Sequence, residues 1–174
     1  MNAQIRLPVI KTGKEACSVC EGLCCKSHPG ATEPKHWMSG GGGNELDFDK
    51  IEAALLTGRW VIDVSYKDNE MDIYYLRPAM SNSNSIFDIQ MRLMKDHCTF
   101  LTPLGCELES RYRPYECLSL EPKIRVEPDG PITHLCRHPG DRQYGIEPLL
   151  KLWKPHSEDI LAMGDLLVEL SEAS

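Results

Sequence analysis

The sequence predicts an α+β fold: one small domain with a short antiparallel sheet, flanking helices and loops that carry cysteines. Three observations predict it. Two runs rich in Val, Ile, Tyr and Trp, over 59–66 and 71–77, flank the polar turn Lys67-Asp-Asn-Glu70, which is a β-hairpin pattern. Apolar residues recur at helical spacing over 47–57 and over 157–171. Four of the eight cysteines fall within nine residues, Cys17-Ser-Val-Cys20-Glu-Gly-Leu-Cys24-Cys25, and the others are far downstream at Cys98, Cys106, Cys117 and Cys136.

Taken in order, residues 1–16 are mixed, with a β-like run over 5–10 broken by Pro8. Ser27-His-Pro-Gly30 is turn chemistry, and Thr32-Glu-Pro-Lys-His-Trp37 suits a short helix with Pro34 in its first turn. Gly40-Gly-Gly-Gly43 reads as a flexible link; no Gly-Lys-Ser/Thr follows it, so it is not a phosphate cradle. In the helix at 47–57, Phe48, Ile51, Ala54 and Leu55 form the apolar face, Asp47 or Asp49 can cap the start, and Gly58 fits the stop. Ser81-Asn-Ser-Asn-Ser85 is a polar loop, and 86–94 is a candidate strand. Cys98-Thr-Phe-Leu-Thr-Pro-Leu-Gly-Cys106 reads as strand, turn, strand, which brings its two cysteines near one another. Pro114 suits the first turn of a short helix, and Pro-containing turns continue to Pro131. The C-terminal helical segment is expected over about 144–172. Within it Ser157 is the expected N-cap, Ile160, Met163, Leu167 and Leu170 form one face, and Gly164 weakens the helix.

Composition narrows the function classes. A net charge of −7 argues against a broad nucleic-acid surface, so no nucleic-acid partner is expected. No apolar run approaches the ~18 residues of a membrane span, and the first residues lack the apolar stretch of a secretory signal. A cytoplasmic setting is therefore expected. There disulfides are rare, and clustered cysteines read as metal ligands or redox groups.

The cysteine spacing is C-x2-C-x3-C-C, then C-x7-C-x10-C-x18-C after a gap. A tight turn across C-x2-C aims two sulfurs at one point, the geometry that a tetrahedral metal or an iron–sulfur corner needs. Adjacent Cys24 and Cys25 cannot easily turn both sulfurs to one ion. A zinc ribbon would carry a second C-x2-C knuckle, and this chain has none. One compact run with remote ligands is closer to an iron–sulfur arrangement, with zinc as the alternative. Candidate metal ligands are thus Cys17, Cys20, Cys24, Cys25, Cys98, Cys106, Cys117 and Cys136. Arg113, four residues before Cys117, is a candidate for offsetting the negative charge of a thiolate site and for donating to sulfur or to backbone carbonyls. His97 and His138 adjoin cysteines and could replace one as ligand, although eight thiols make that unnecessary; His28, His36, His134 and His156 stand in no constellation.

The order Cys-x2-Cys-x3-Cys-Cys, Cys98-Thr-Phe-Leu, Gly105-Cys106, Arg113-Pro-x-x-Cys117 resembles the YkgJ-type cysteine-cluster family. Cys136-Arg-His-Pro-Gly140 looks like the family's late Cys-Pro-Gly element with two residues inserted. Glu109 stands where the family has an aromatic, and the Arg-Pro pair comes one residue late. The resemblance spans about 17–140 and implies zinc or iron chelation. Flagellin lysine methylases are similar in their cysteine pattern and are associated with an iron–sulfur cluster, although this chain is much shorter. The leading expectation is an iron–sulfur protein, 4Fe-4S favoured, built around a metal site. The rivals are a zinc-stabilised interaction module, with a protein partner, and a metal-dependent transferase. No pair of carboxylates or Ser-His-Asp grouping names catalytic residues.

Overall fold

A computed structural model describes the protein at residues 9–12, 19, 30–40, 44–65, 72–88, 97–103, 105–109, 112–114, 117, 123–128, 132–134 and 147–173. The architecture is α+β, with short antiparallel sheets and helices packed on them.

The expected hairpin forms. Strands β2 (Trp60–Ser65) and β3 (Ile73–Pro78) pair antiparallel from Trp60↔Pro78 to Ser65↔Ile73. The turn at 67–70 lies outside the described residues. Burial along both strands is nearly continuous and does not alternate. This is the mark of strands covered on both faces. Their cover comes from helices α1 (Phe48–Leu56), α2 (Glu147–Trp153) and α3 (Ser157–Glu172). One apolar core runs from Ala31 to Leu167 and takes in Trp37, Trp60 and Trp153.

Helix α1 follows its sequence signals. The Asp47 side chain accepts the Lys50 N–H at 3.1 Å, and Gly58 ends the helix at φ 67°, a left-handed conformation that glycine adopts without strain. Ile51 and Leu55 are buried, whereas Phe48, expected on the apolar face, is exposed. The predicted helix near Pro34 is a single 3-10 turn, Pro34–Trp37. The strand expected over 86–94 is reduced, among the described residues, to one parallel bridge of Phe87 with Ile62; 89–94 lie outside them.

A three-stranded sheet was not legible. Strand β1 (Val9–Thr12) pairs with β6 (Lys123–Val126), which pairs with β7 (Ile132–His134), both antiparallel. The prolines around β6 suggest successive turns, and they mask the alternation Lys123-Ile-Arg-Val126, whose Ile124 is fully buried while Lys123 and Arg125 are exposed.

Two features of the C-terminal helices correct the sequence reading. Ser157 does not cap α3; it is the first helical residue. Its hydroxyl accepts the Tyr74 N–H at 2.8 Å and donates to the Asp72 carbonyl at 3.3 Å, fastening the helix to the entry of β3. Gly164 is buried where α3 meets Ile62 and Phe87, so its place reflects close packing. A β-carbon there would lie 2.7 Å from Ile62 Cδ1, 2.9 Å from Phe87 Cε2 and closer still to Phe87 Cζ. Of the predicted apolar face, Ile160 and Leu167 are buried, Met163 is half-buried and Leu170 is exposed.

An ion pair is buried in the hairpin. Arg77 Nε donates to Asp63 Oδ2 at 2.7 Å, and both side chains are 1% exposed. Arg77 Nη1 donates to the Pro78 carbonyl at 3.0 Å, and Nη2 to the Asp88 carbonyl at 2.7 Å, with Asp88 Oδ2 at 3.2 Å. Asp63 Oδ1 accepts the Val64 N–H at 2.8 Å. Burying two charges is tolerable only with this degree of satisfaction.

Two stability tests follow. Asp63→Ala leaves a buried guanidinium short of its main partner and is expected to cost about 3–5 kcal/mol, the usual penalty for breaking a buried pair. Asp88→Ala removes a partner that is 30% exposed, and should cost no more than about 1 kcal/mol. Urea titration of both variants checks the contrast; equal losses would mean that the Asp63 pair is not the dominant one. Gly164→Ala gains about 1 kcal/mol of helix propensity but overpacks the Ile62–Phe87 contact, for which about 1–3 kcal/mol is typical. A net loss is expected, and Phe87→Ala should relieve part of it in a double-mutant cycle. Additive losses would show that Phe87 is not the obstacle.

Candidate metal centre

Three of the eight candidate ligands are described. Cys98, Cys106 and Cys117 are thiols, the first buried and the others half-buried. Cys17, Cys20, Cys24, Cys25 and Cys136 lie outside the described residues.

The segment beginning at Cys98 forms the expected small hairpin, with β4 (Leu101–Thr102) pairing antiparallel with β5 (Gly105–Cys106). The partner of Cys106 across this pair is Leu101, not Cys98. Cys98 stands one turn earlier, bridged to Met80, and its carbonyl accepts the Leu101 N–H at 2.9 Å. At 5% exposure it belongs to the apolar core. Burial pushes its thiol pKa up, and the nearness of Cys106 adds to that; the Phe100 N–H and the Arg59 and Arg77 guanidiniums act in the opposite direction.

Two guanidiniums hold this hairpin by its backbone. Arg113 Nε donates to the Leu108 carbonyl at 2.9 Å and Nη2 to the Cys106 carbonyl at 3.3 Å. The expected role for Arg113 allowed either sulfur or carbonyls as acceptors, and these contacts are to carbonyls. Arg59 does the same from the other end. Its Nη2 donates to the Thr99 carbonyl at 3.0 Å, and its guanidinium carbon lies 4.0 Å from the centre of the Phe100 ring. It also pairs with Glu107, whose carboxyl it holds below the usual range. Both cations therefore flank the one described segment that carries two cysteines. Nothing in the sequence singled out Arg59, since a lone arginine before a strand carries no pattern.

The chain leaving the N-terminal cysteine run is anchored at Thr32. Its N–H and its hydroxyl both donate to the Leu76 carbonyl, at 3.0 and 2.8 Å. Its hydroxyl accepts the Trp37 indole N–H at 2.8 Å, and its carbonyl accepts the Trp153 indole N–H at 2.6 Å. The 3-10 turn that follows presents His36. Lys50 Nζ donates to the His36 carbonyl and lies 5.9 and 5.5 Å from the Trp37 and Tyr112 ring centres. The His36 ring meets Tyr112 edge-on at 6.4 Å. Its Nδ1 is buried with no hydrogen-bond partner.

The donor chemistry suits a thiol-binding metal: soft sulfur ligands, guanidiniums on the same segment, and one orphaned imidazole nitrogen. Among the described residues no three His, Cys, Asp or Glu side chains converge on a point. No helix among them is long and apolar enough to cross a membrane. Comparison with family models, curated proteins and solved structures finds no match.

Burial orders the two hairpin thiols. In metal-free protein Cys106 should alkylate directly, whereas Cys98 needs a local opening first. Timed iodoacetamide labelling read by peptide mass spectrometry checks this. Equal rates would place Cys98 outside the core.

Proposed function

We propose that this chain is a metal-binding protein whose cysteines hold an iron–sulfur cluster, with 4Fe-4S favoured. The observation that carries the reading is the run Cys17-x2-Cys20-x3-Cys24-Cys25 joined to remote cysteines in a chain long enough to fold without disulfide staples. The resemblance to the YkgJ-type family points the same way.

Support also comes from the segment 98–113. A thiolate-bound cluster carries net negative charge, and a guanidinium nearby lowers the cost of holding it. Arg59 and Arg113 are fixed to the backbone of the segment bearing Cys98 and Cys106, so their charge is positioned before any metal arrives. When bound, a cluster supplies one-electron chemistry or a rigid cross-link between segments. The chain's residues supply thiolates, compensating charge and a fixed backbone. A cytoplasmic setting, where thiols stay reduced, belongs to the same reading.

Anaerobic purification followed by iron, sulfide and zinc analysis, with an absorption spectrum, is the test. Iron with matching sulfide and a broad visible band are expected. Cys17→Ser and Cys20→Ser should each lose most of the metal. Full occupancy in both variants would overturn the reading, and a colourless protein with stoichiometric zinc would replace the cluster by a zinc site.

A further inference from the structure

We infer that His36 supplies a nitrogen donor, through Nδ1, to the metal centre proposed above. The inference rests on that metal-binding reading and adds to it a ligand that is not a cysteine.

The starting observation is an unmet valence. Among the described residues, His36 Nδ1 is the one buried side-chain nitrogen or oxygen without a hydrogen-bond partner. Buried polar atoms are satisfied in the great majority of cases, and an exception at a potential ligand calls for a partner. Imidazole is a common zinc donor, and in Rieske-type clusters it replaces cysteine on iron.

The second observation is position. His36 lies eleven residues after Cys25, on the 3-10 turn fixed by Pro34 and Trp37. Its backbone is held by Lys50, so the ring has a stable base. The ring edge rests on Tyr112, and the next residue, Arg113, grips the Cys106 carbonyl. His36 thus follows the N-terminal cysteine run in sequence and meets Tyr112 in space, next to the arginine that holds the Cys106 carbonyl. His97, beside Cys98 in sequence, is exposed, and its Nδ1 lies 3.4 Å from the Ser81 hydroxyl, so it has no comparable need.

The test uses the full chain labelled with 15N-histidine, purified anaerobically and reconstituted with iron and sulfide. Pulsed EPR of the reduced cluster should show a nitrogen coupling of the size given by a directly bound imidazole. His36→Ala should abolish it and weaken metal retention against a chelator by at least about tenfold, since loss of an outer-shell partner alone typically costs about 10–100-fold. His36→Cys should restore retention without the nitrogen coupling. If zinc is the metal, Co²⁺ in its place reports the same ligand change through its visible bands. Full metal loading without a histidine coupling, or a coupling that survives His36→Ala, overturns the inference and leaves the metal reading intact. Failure of the wild-type chain to load iron or zinc overturns both. The wild-type spectrum decides the point even if His36→Ala fails to fold.

Discussion

Thr32 is the joint on which the rest of the molecule depends. Its backbone and hydroxyl take part in four hydrogen bonds, reaching β3 at Leu76, the 3-10 turn at Trp37 and α2 at Trp153. Each neutral bond is worth about 0.5–1.5 kcal/mol net, but the penalty for undoing them is larger, because two indole N–H groups would be stranded in the core. Threonine is suited to this: one small side chain both donates and accepts, and its methyl adds apolar bulk. The joint therefore ties the chain at Thr32 to both the central hairpin and the C-terminal helices.

Three arginines solve different electrostatic problems nearby. Arg77 is fully buried, and every contact it makes offsets desolvation; its role is to hold β2, β3 and the Phe87 strand-like segment together. Arg59 and Arg113 are partly exposed and spend their donors on carbonyls of the hairpin at 98–108. The β4–β5 pair has two residues per strand, too few to stand alone. The two guanidiniums fasten that pair by its backbone, at the Thr99, Cys106 and Leu108 carbonyls.

The sequence disclosed elements whose signals were local. Asp47 and Gly58 bracket α1 as their chemistry dictates, and the runs rich in Val, Ile, Tyr and Trp on either side of the polar Lys67–Glu70 stretch announced the hairpin. Signals that depend on partners far along the chain were hidden. Ser157 looks like a cap because serine caps helices, yet its hydroxyl is claimed by Tyr74 and Asp72, over eighty residues away in sequence. Gly164 looks like a flaw in a helix until Phe87 and Ile62 are seen against it. Strand β6 was obscured by neighbouring prolines, because its reason to be extended lies in β1 at the other end of the chain. For the site, spacing showed the cysteine pattern and put Arg113 beside it, but left its acceptor open between sulfur and carbonyl. His36 was not readable, since an orphaned nitrogen is defined by what fails to surround it.

The core also bears on what a metal would do here. Small zinc modules unfold without metal because they bury too little apolar surface to stand alone. This chain already buries all three tryptophans, an ion pair with its full set of partners, and a continuous apolar core between β2–β3 and the helices. Cys98 is part of that core, whereas Cys106 and Cys117 are half-buried. The hairpin and helices thus have an apolar core of their own. Loss of metal and loss of fold become separable events, so a Cys→Ser variant that keeps the core reports on ligation alone.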